Sequence, residues 1–144
     1  IYIVDILSEI VNNNCISYYK KVNLSLEAKD KDLCILGDEK SLKTLFNNII
    51  KNALEAINYK GYIDLKVFED VNENIVITIK DDGPGLDEYA KENICKKFFT
   101  TKSNGSGLGI FICNKVAEEH NGSFSLENHP EGGCIAKVIL PKYI

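Results

Sequence analysis

The order in which hydrophobic periodicity changes along the chain constrains the fold more than any other feature. Ile3, Ile6, Leu7, Ile10 and Val11 recur at helical spacing and predict an amphipathic helix to about Tyr19. Val22, Leu24 and Leu26 then alternate with Asn23, Ser25 and Glu27, the pattern of a half-buried strand over Lys21–Ala28. A polar turn leads to a short apolar run at Leu33–Leu36, read as a second strand. Asp38 is the expected N-cap of a helix from about Glu39 to Asn58, with Leu42, Leu45, Phe46, Ile49, Ile50, Ala53 and Ile57 as its apolar stripe. Ile63, Leu65 and Val67 alternate on one side of a polar turn at Val71–Glu73, and Ile75, Ile77 and Ile79 on the other. A last helix is expected from about Gly107 to Glu119, stopped by Asn121-Gly122, two residues that accept a left-handed backbone. Ser123–Glu127 and Cys134–Leu140 then form a closing antiparallel pair, ended by Pro141.

Strand pairs separated by single helices do not make a repeating parallel unit of the Rossmann kind. They predict an α+β fold, a two-layer α/β sandwich in which a mixed, mostly antiparallel sheet carries all its helices on one face. No internal repeat, low-complexity segment or linker interrupts residues 1–144, which read as a single domain. Between Gly85 and Gly105 about twenty residues follow no period. A loop that long in a compact domain has a functional reason or marks a wrong assignment. It is read here as a lid, mobile from about Leu86 to Asn104 when nothing lies beneath it.

Composition narrows the functional classes. A net charge of −4 argues against a general binder of nucleic acid. An anion site must then be local, built from backbone amides and a few lysines. Five cysteines at wide spacing form no zinc or redox motif and read as reduced thiols filling a core in a cytoplasmic setting. No apolar run is long enough to span a membrane, so no membrane contact is expected of this domain. The start at Ile1 and the lack of any methionine suggest a piece of a longer protein.

Four short stretches could carry chemistry. Gly105-Ser106-Gly107-Leu108-Gly109, at a helix start, offers unshielded amides and the positive end of a helix dipole, both suited to phosphate. It is not a dinucleotide fingerprint, because Ile110 stands where the last glycine should be. Asp81-Asp82-Gly83-Pro84-Gly85 puts a carboxylate at a strand end before two glycines. The carboxylate can accept from the exocyclic amine of adenine. Against guanine, two acceptors would face each other at a cost of about 1–3 kcal/mol. The same residues would also make a tight turn whose aspartate satisfies backbone amides. Asn48, Asn52 and Glu55 share a helix face, and two such amides either build a side-chain network or help hold magnesium beside phosphates. Phe98-Phe99-Thr100-Thr101-Lys102 brings hydroxyls and a cation just before the second glycine cluster. Its adjacent aromatics need something to cover.

In this order and spacing the four stretches resemble the ATP-binding domain of sensor histidine kinases, within the class that includes gyrase, heat-shock chaperone and mismatch-repair ATPases. Asn48-Ile49-Ile50-Lys51-Asn52-Ala53-Leu54-Glu55-Ala56 is similar to the N box of that family, Asp81 to Gly85 to its first glycine box, Phe98 to Lys102 to its F box, and Gly105 to Gly109 to its second glycine box. The resemblance extends to the ending, a helix followed by His120-Asn121-Gly122 and two strands.

The resemblance implies ATP and magnesium as ligands. Asp81 would take the adenine amine, with Gly83 and Gly85 shaping the pocket. Asn52 would coordinate magnesium and Asn48 would lie close to the phosphates. Lys102 and the amides of Gly105, Gly107 and Leu108 would hold the phosphate tail, with Phe99, Thr100, Thr101, Ser106 and Gly109 completing the nucleotide site under a closing ATP lid. Asn48 and Lys102 would be the catalytic pair. Gyrase-like members carry a glutamate at the place of Asn48, and an asparagine amide is not a useful base, so slow hydrolysis and phosphoryl transfer are expected. The acceptor histidine would sit on a dimerisation domain of the same protein that these residues do not include. His120 at a helix end and His129 before Pro130 lack the acceptor context. A response regulator would be an indirect partner, and the longer protein could still be membrane-anchored elsewhere. Glu55 departs from the basic residue common in the family and points to the nitrogen-regulator and sporulation branch or to a solvated position. It leaves Lys102 as the phosphate cation, with Lys51 a weaker candidate. Two other classes compete. An anti-sigma-type serine kinase has a shorter lid without Phe-Phe-Thr-Thr-Lys, and an ATP-gated dimerising ATPase would hydrolyse steadily.

Overall fold

Residues 33–38 set up the long helix on which the site is later assembled. The computed structural model describes residues 1–17, 21–86 and 108–143. Within them α1 spans Ile3–Ser17, β1 Val22–Ala28, α2 Glu39–Ala56, β2 Gly61–Glu69, β3 Asn74–Asp81, α3 Leu108–Glu119, β4 Ser123–Asn128 and β5 Cys134–Pro141. Asp38 caps α2 as expected: its carboxylate accepts from the Ser41 amide at 2.9 Å and the Ser41 hydroxyl at 2.6 Å. These two bonds hold its pKa below the ordinary aspartate value.

The strand order is β1-β2-β3-β5-β4, with β1 and β2 parallel and every other pair antiparallel. The parallel pair needs a crossover, and α2 supplies it. Period-two alternation puts Ile63, Leu65 and Val67, then Ile75, Ile77 and Ile79, then Ala136, Val138 and Leu140 on one buried face. Ile3, Leu7 and Ile10 of α1, Leu42, Leu45, Phe46 and Ile49 of α2, and Cys113, Val116 and Ala117 of α3 cover that face and complete one core. On the other face Tyr62 and Phe68 stand exposed. This is the expected mixed sheet with its helices on one side.

Two expectations need correction. Leu33–Leu36 is not a strand of the sheet. Its backbone pairs with both ends of the described chain: Ile3 N–H donates to the Leu33 carbonyl at 3.2 Å, Ile35 N–H to the Ile1 carbonyl at 2.9 Å, and Tyr143 N–H to the Cys34 carbonyl at 2.8 Å. Alternation there buries Leu33 and Ile35 under α1 instead of adding a sixth strand. Helix α2 stops at Ala56, short of Asn58, because Asn58 and Tyr59 turn left-handed (φ 54° and 57°) to bring Gly61 onto β1. The stop of α3 is as expected: Asn121 takes φ 60°, and Gly122 N–H returns to the Ala117 carbonyl at 2.8 Å. The lid beyond Leu86 and residues Tyr18 to Lys20 lie outside the described residues. Among those described, no helix is long and apolar enough to cross a membrane. Cys113 and Cys134 are buried free thiols pushed up to about 12 by that burial, so they are inert packing groups.

Candidate nucleotide-binding site

Asp81 is buried for a reason visible in the register. It follows Ile75, Ile77 and Ile79 at period two, so its side chain leaves the end of β3 on the helix-covered face. It is the one buried charged residue among those described, 6% exposed. Its Oδ1 accepts from Gly83 N–H at 2.9 Å and from Cys134 N–H at 3.3 Å. Burial raises its pKa above the ordinary aspartate value, those two amides oppose the rise, and the neighbouring Asp82 adds to it. Both described bonds fall on one oxygen, which leaves Oδ2 to accept from a ligand amine.

The turn after Asp81 is stitched on every side. A Cβ at Gly83 would lie 3.0 Å from the Ala56 carbonyl, so the turn rests against the last residue of α2. Gly85 has φ 82°, and a Cβ there would come within 2.7 Å of Asn128 Oδ1. Gly133, with φ 84°, passes so close to the Asp81 carbonyl that a side chain has no room. Asp82 Oδ1 accepts from Tyr62 N–H at 3.1 Å. Asn128 uses both ends of its amide on Leu86, accepting from its N–H at 2.6 Å and donating to its carbonyl at 2.8 Å. Sequence reasoning missed Asn128, Gly133 and Cys134, because nothing local in Asn-His-Pro-Glu-Gly-Gly-Cys signals contact with residues 42 to 53 positions earlier.

Asn48 and Asn52 lie half-buried on α2, one turn apart. The first turn of α3 comes up against them: a Cβ at Gly109 would sit 3.7 Å from Asn48 Oδ1 and 3.9 Å from Asn52 Nδ2. Because α3 begins at Leu108, its leading amides have no acceptor within the helix. Helix α2 is therefore a shared wall. Its Ala56 end meets the Asp81–Gly85 turn, and its Asn48 level, two turns or about 12 Å away along the axis, meets the start of α3. Glu55 is half-buried on the same helix and Lys51 is exposed. Phe99, Thr100, Thr101, Lys102, Gly105, Ser106 and Gly107 lie outside the described residues. His129 is used within its turn, where Nδ1 accepts from Glu131 N–H at 3.1 Å.

A buried carboxylate beside a glycine turn, and two amides facing a helix start about 12 Å away along α2, are the candidate site of this α+β domain. Residues 37–144 match the family described as histidine kinase-, DNA gyrase B-, and HSP90-like ATPase, and the chain belongs to that family. It is 38% identical over 114 residues to sporulation kinase A of Bacillus subtilis (strain 168), an alignment covering 78% of this chain and 19% of that relative's length. The fold superposes on the nucleotide-free catalytic domain of histidine kinase ThkA with a TM-score of 0.86 and 29% identity, covering 99% of this chain and 93% of that one. It also matches ThkA in a complex with response regulator protein TrrA, at TM-score 0.83 and 28% identity, covering 99% and 41%. Within the family it is an ATP-binding catalytic domain of the sensor histidine kinase kind.

Proposed function

We propose that this domain binds ATP with magnesium along α2 and hands the γ-phosphoryl group to a histidine on a separate dimerisation domain of the same protein. The observation that carries the reading is Asn48. It stands at the level where α3 begins, with its amide oxygen toward Gly109, and an amide cannot take a proton from water at neutral pH. A domain with an amide there keeps the phosphoryl group for an acceptor. Adenine occupies the Asp81 end, its exocyclic amine donating to the carboxylate. The phosphates lie toward Asn48, Asn52 and the leading amides of α3. Lys102, with Thr100, Thr101 and the glycines from Gly105 to Gly109, completes the phosphate end, and Phe99 helps to cover the nucleotide.

Among the described residues, no group of three or more His, Cys, Asp or Glu side chains could hold a metal. The groups offered near Gly109 are neutral amides. That set is too poor for a resident cation but fits magnesium that arrives on phosphate oxygens, keeps several waters and takes one carbonyl from the protein. Asn52 is the residue that would supply it, and the ion would neutralise phosphate charge. Catalysis by this chain then rests on positioning and charge stabilisation. A response regulator receives the phosphoryl group afterwards from the histidine. The domain works in the cytoplasm, where ATP is available.

The test supplies the acceptor. Gamma-labelled ATP is incubated with the chain and a separately made dimerisation domain bearing the histidine, and label on that domain is measured. The expected label is acid-labile and base-stable, as a phosphohistidine is, and it disappears when the histidine is replaced. Equal amounts of free phosphate with and without the acceptor, and none on it, would overturn the reading.

A further inference from the structure

The ends of α2 and α3 farthest from the nucleotide are tied by a contact that the proposed ATP chemistry does not use. His120 follows the last residue of α3. Its Nδ1 lies 2.8 Å from the Val116 carbonyl one turn back, and its Nε2 lies 3.0 Å from the amide nitrogen of Asp38, the N-cap of α2. Since the Asp38 N–H can only donate, Nε2 accepts and the ring proton sits on Nδ1, directed at Val116. The imidazole thus takes its orientation from α3 and its anchor from α2. The seat is shaped for it: a Cβ on Gly37 would come within 2.7 Å of His120 Nε2.

Among the described residues, three points along the two helices share one order. Gly109 faces Asn48 and Asn52, Cys113 Sγ donates to the Leu45 carbonyl at 3.5 Å, and His120 receives Asp38. The partners descend α2 as they ascend α3, so the helices run antiparallel and each tie fixes the same register. The middle tie is a weak thiol bond at 3.5 Å, whereas His120 receives a backbone N–H at 3.0 Å through a ring held in place by its own helix. A helix advances 1.5 Å per residue. Slack of a fraction of that at the His120 end is carried by a rigid helix to Leu108 and Gly109, where the phosphate-facing amides are.

We propose that His120 is a positioning residue for the phosphate end of the nucleotide site: by hooking α3 onto the Asp38 amide it sets where the first turn of α3 stands against Asn48 and Asn52. The inference rests on the ATP reading and goes beyond it, since His120 touches no part of the nucleotide. It predicts a selective defect. Adenosine, held at the Asp81 end, keeps its affinity, while ATP loses the contacts that α3 makes to phosphate.

The experiment titrates ATP with magnesium, and adenosine, against wild type, His120→Ala, His120→Gln, Gly37→Ala and Asp81→Asn. Denaturant midpoints are measured alongside, so that only folded protein is compared. ATP affinity is expected to fall roughly ten-fold, about the worth of one charge-assisted hydrogen bond, in His120→Ala and in Gly37→Ala, which evicts the ring without touching α3. Adenosine affinity should stay unchanged in both. His120→Gln, whose amide oxygen reaches the Asp38 N–H, should recover most of the loss. Unchanged ATP affinity in folded His120→Ala and Gly37→Ala, an equal fall for ATP and adenosine, or no recovery in His120→Gln would each overturn the proposal. Failure of wild type to bind ATP, or of Asp81→Asn to lose it, would sink the ATP reading itself.

Discussion

On the proposed ATP reading, Asp81 serves binding at the expense of folding. Its carboxylate is useful to an adenine amine only when ionised, yet burial favours the neutral form and raises its pKa. The sign of the consequence follows. With a folded pKa above the unfolded one, the stability this group contributes is full below the ordinary aspartate pKa. It is lost as pH rises through the raised folded value. ATP affinity should move the opposite way, weakening on acidification before an ordinary aspartate would protonate. Titrations at a series of pH values, with Asp81→Asn as the pH-independent reference, check both trends. Asn128 acts at the same scale. Its two bonds to Leu86 fasten the end of the glycine turn. Asn128→Ala should therefore lower affinity for ATP and adenosine alike, by about 1–2 kcal/mol. In Asn128→Asp the carboxylate keeps the bond from the Leu86 amide but faces its carbonyl with no donor, so it should not restore binding.

At the scale of elements, α2 joins core to site. Phe46 and Leu45 on its inner side are fully buried, while Asn48 and Asn52 beside them face α3. Phe46→Ala should cost about 3–5 kcal/mol of stability, read as a lower denaturant midpoint with an unchanged slope, and any folded remainder should still bind ATP. The helix was legible in the sequence because its stripe, its N-cap and its asparagines are all local signals. So were the alternating strands, and so was Asp81 as a carboxylate at a strand end before two glycines, while its burial on the inner face came with the structure. What stayed hidden depends on distant pairing. Leu33–Leu36 has the pattern of a strand, and only the tertiary structure gives its backbone to the two ends of the described chain. Asn128 and Gly133 gain their roles only when the fold sets them against Leu86 and Asp81. His120 reads as a helix-end histidine until Asp38, 82 positions earlier, is found beside it.

For the whole molecule, one open sheet carries its helices on a single face, and the proposed site lies between that helix layer and the sheet end, where adenine would meet the sheet and the phosphates the helices. The chain spans 19% of the length of sporulation kinase A, so complete signalling is expected only when an acceptor domain is present. Alone, the chain should bind ATP and release phosphate at close to the uncatalysed rate. Steady turnover in a phosphate-release assay would instead place its chemistry with the hydrolysing members of the family. The central claim is that ATP sits with its adenine on the Asp81 carboxylate, and it is tested most directly by comparing ATP affinity of wild type and Asp81→Asn. The asparagine retains an oxygen for the Gly83 and Cys134 amides, so the fold should persist with an equal or higher denaturant midpoint at neutral pH. Loss of the amine–carboxylate bond should weaken binding by about 1.5–3 kcal/mol, one to two decades in Kd. A folded Asp81→Asn protein that binds ATP as tightly as wild type would contradict the account.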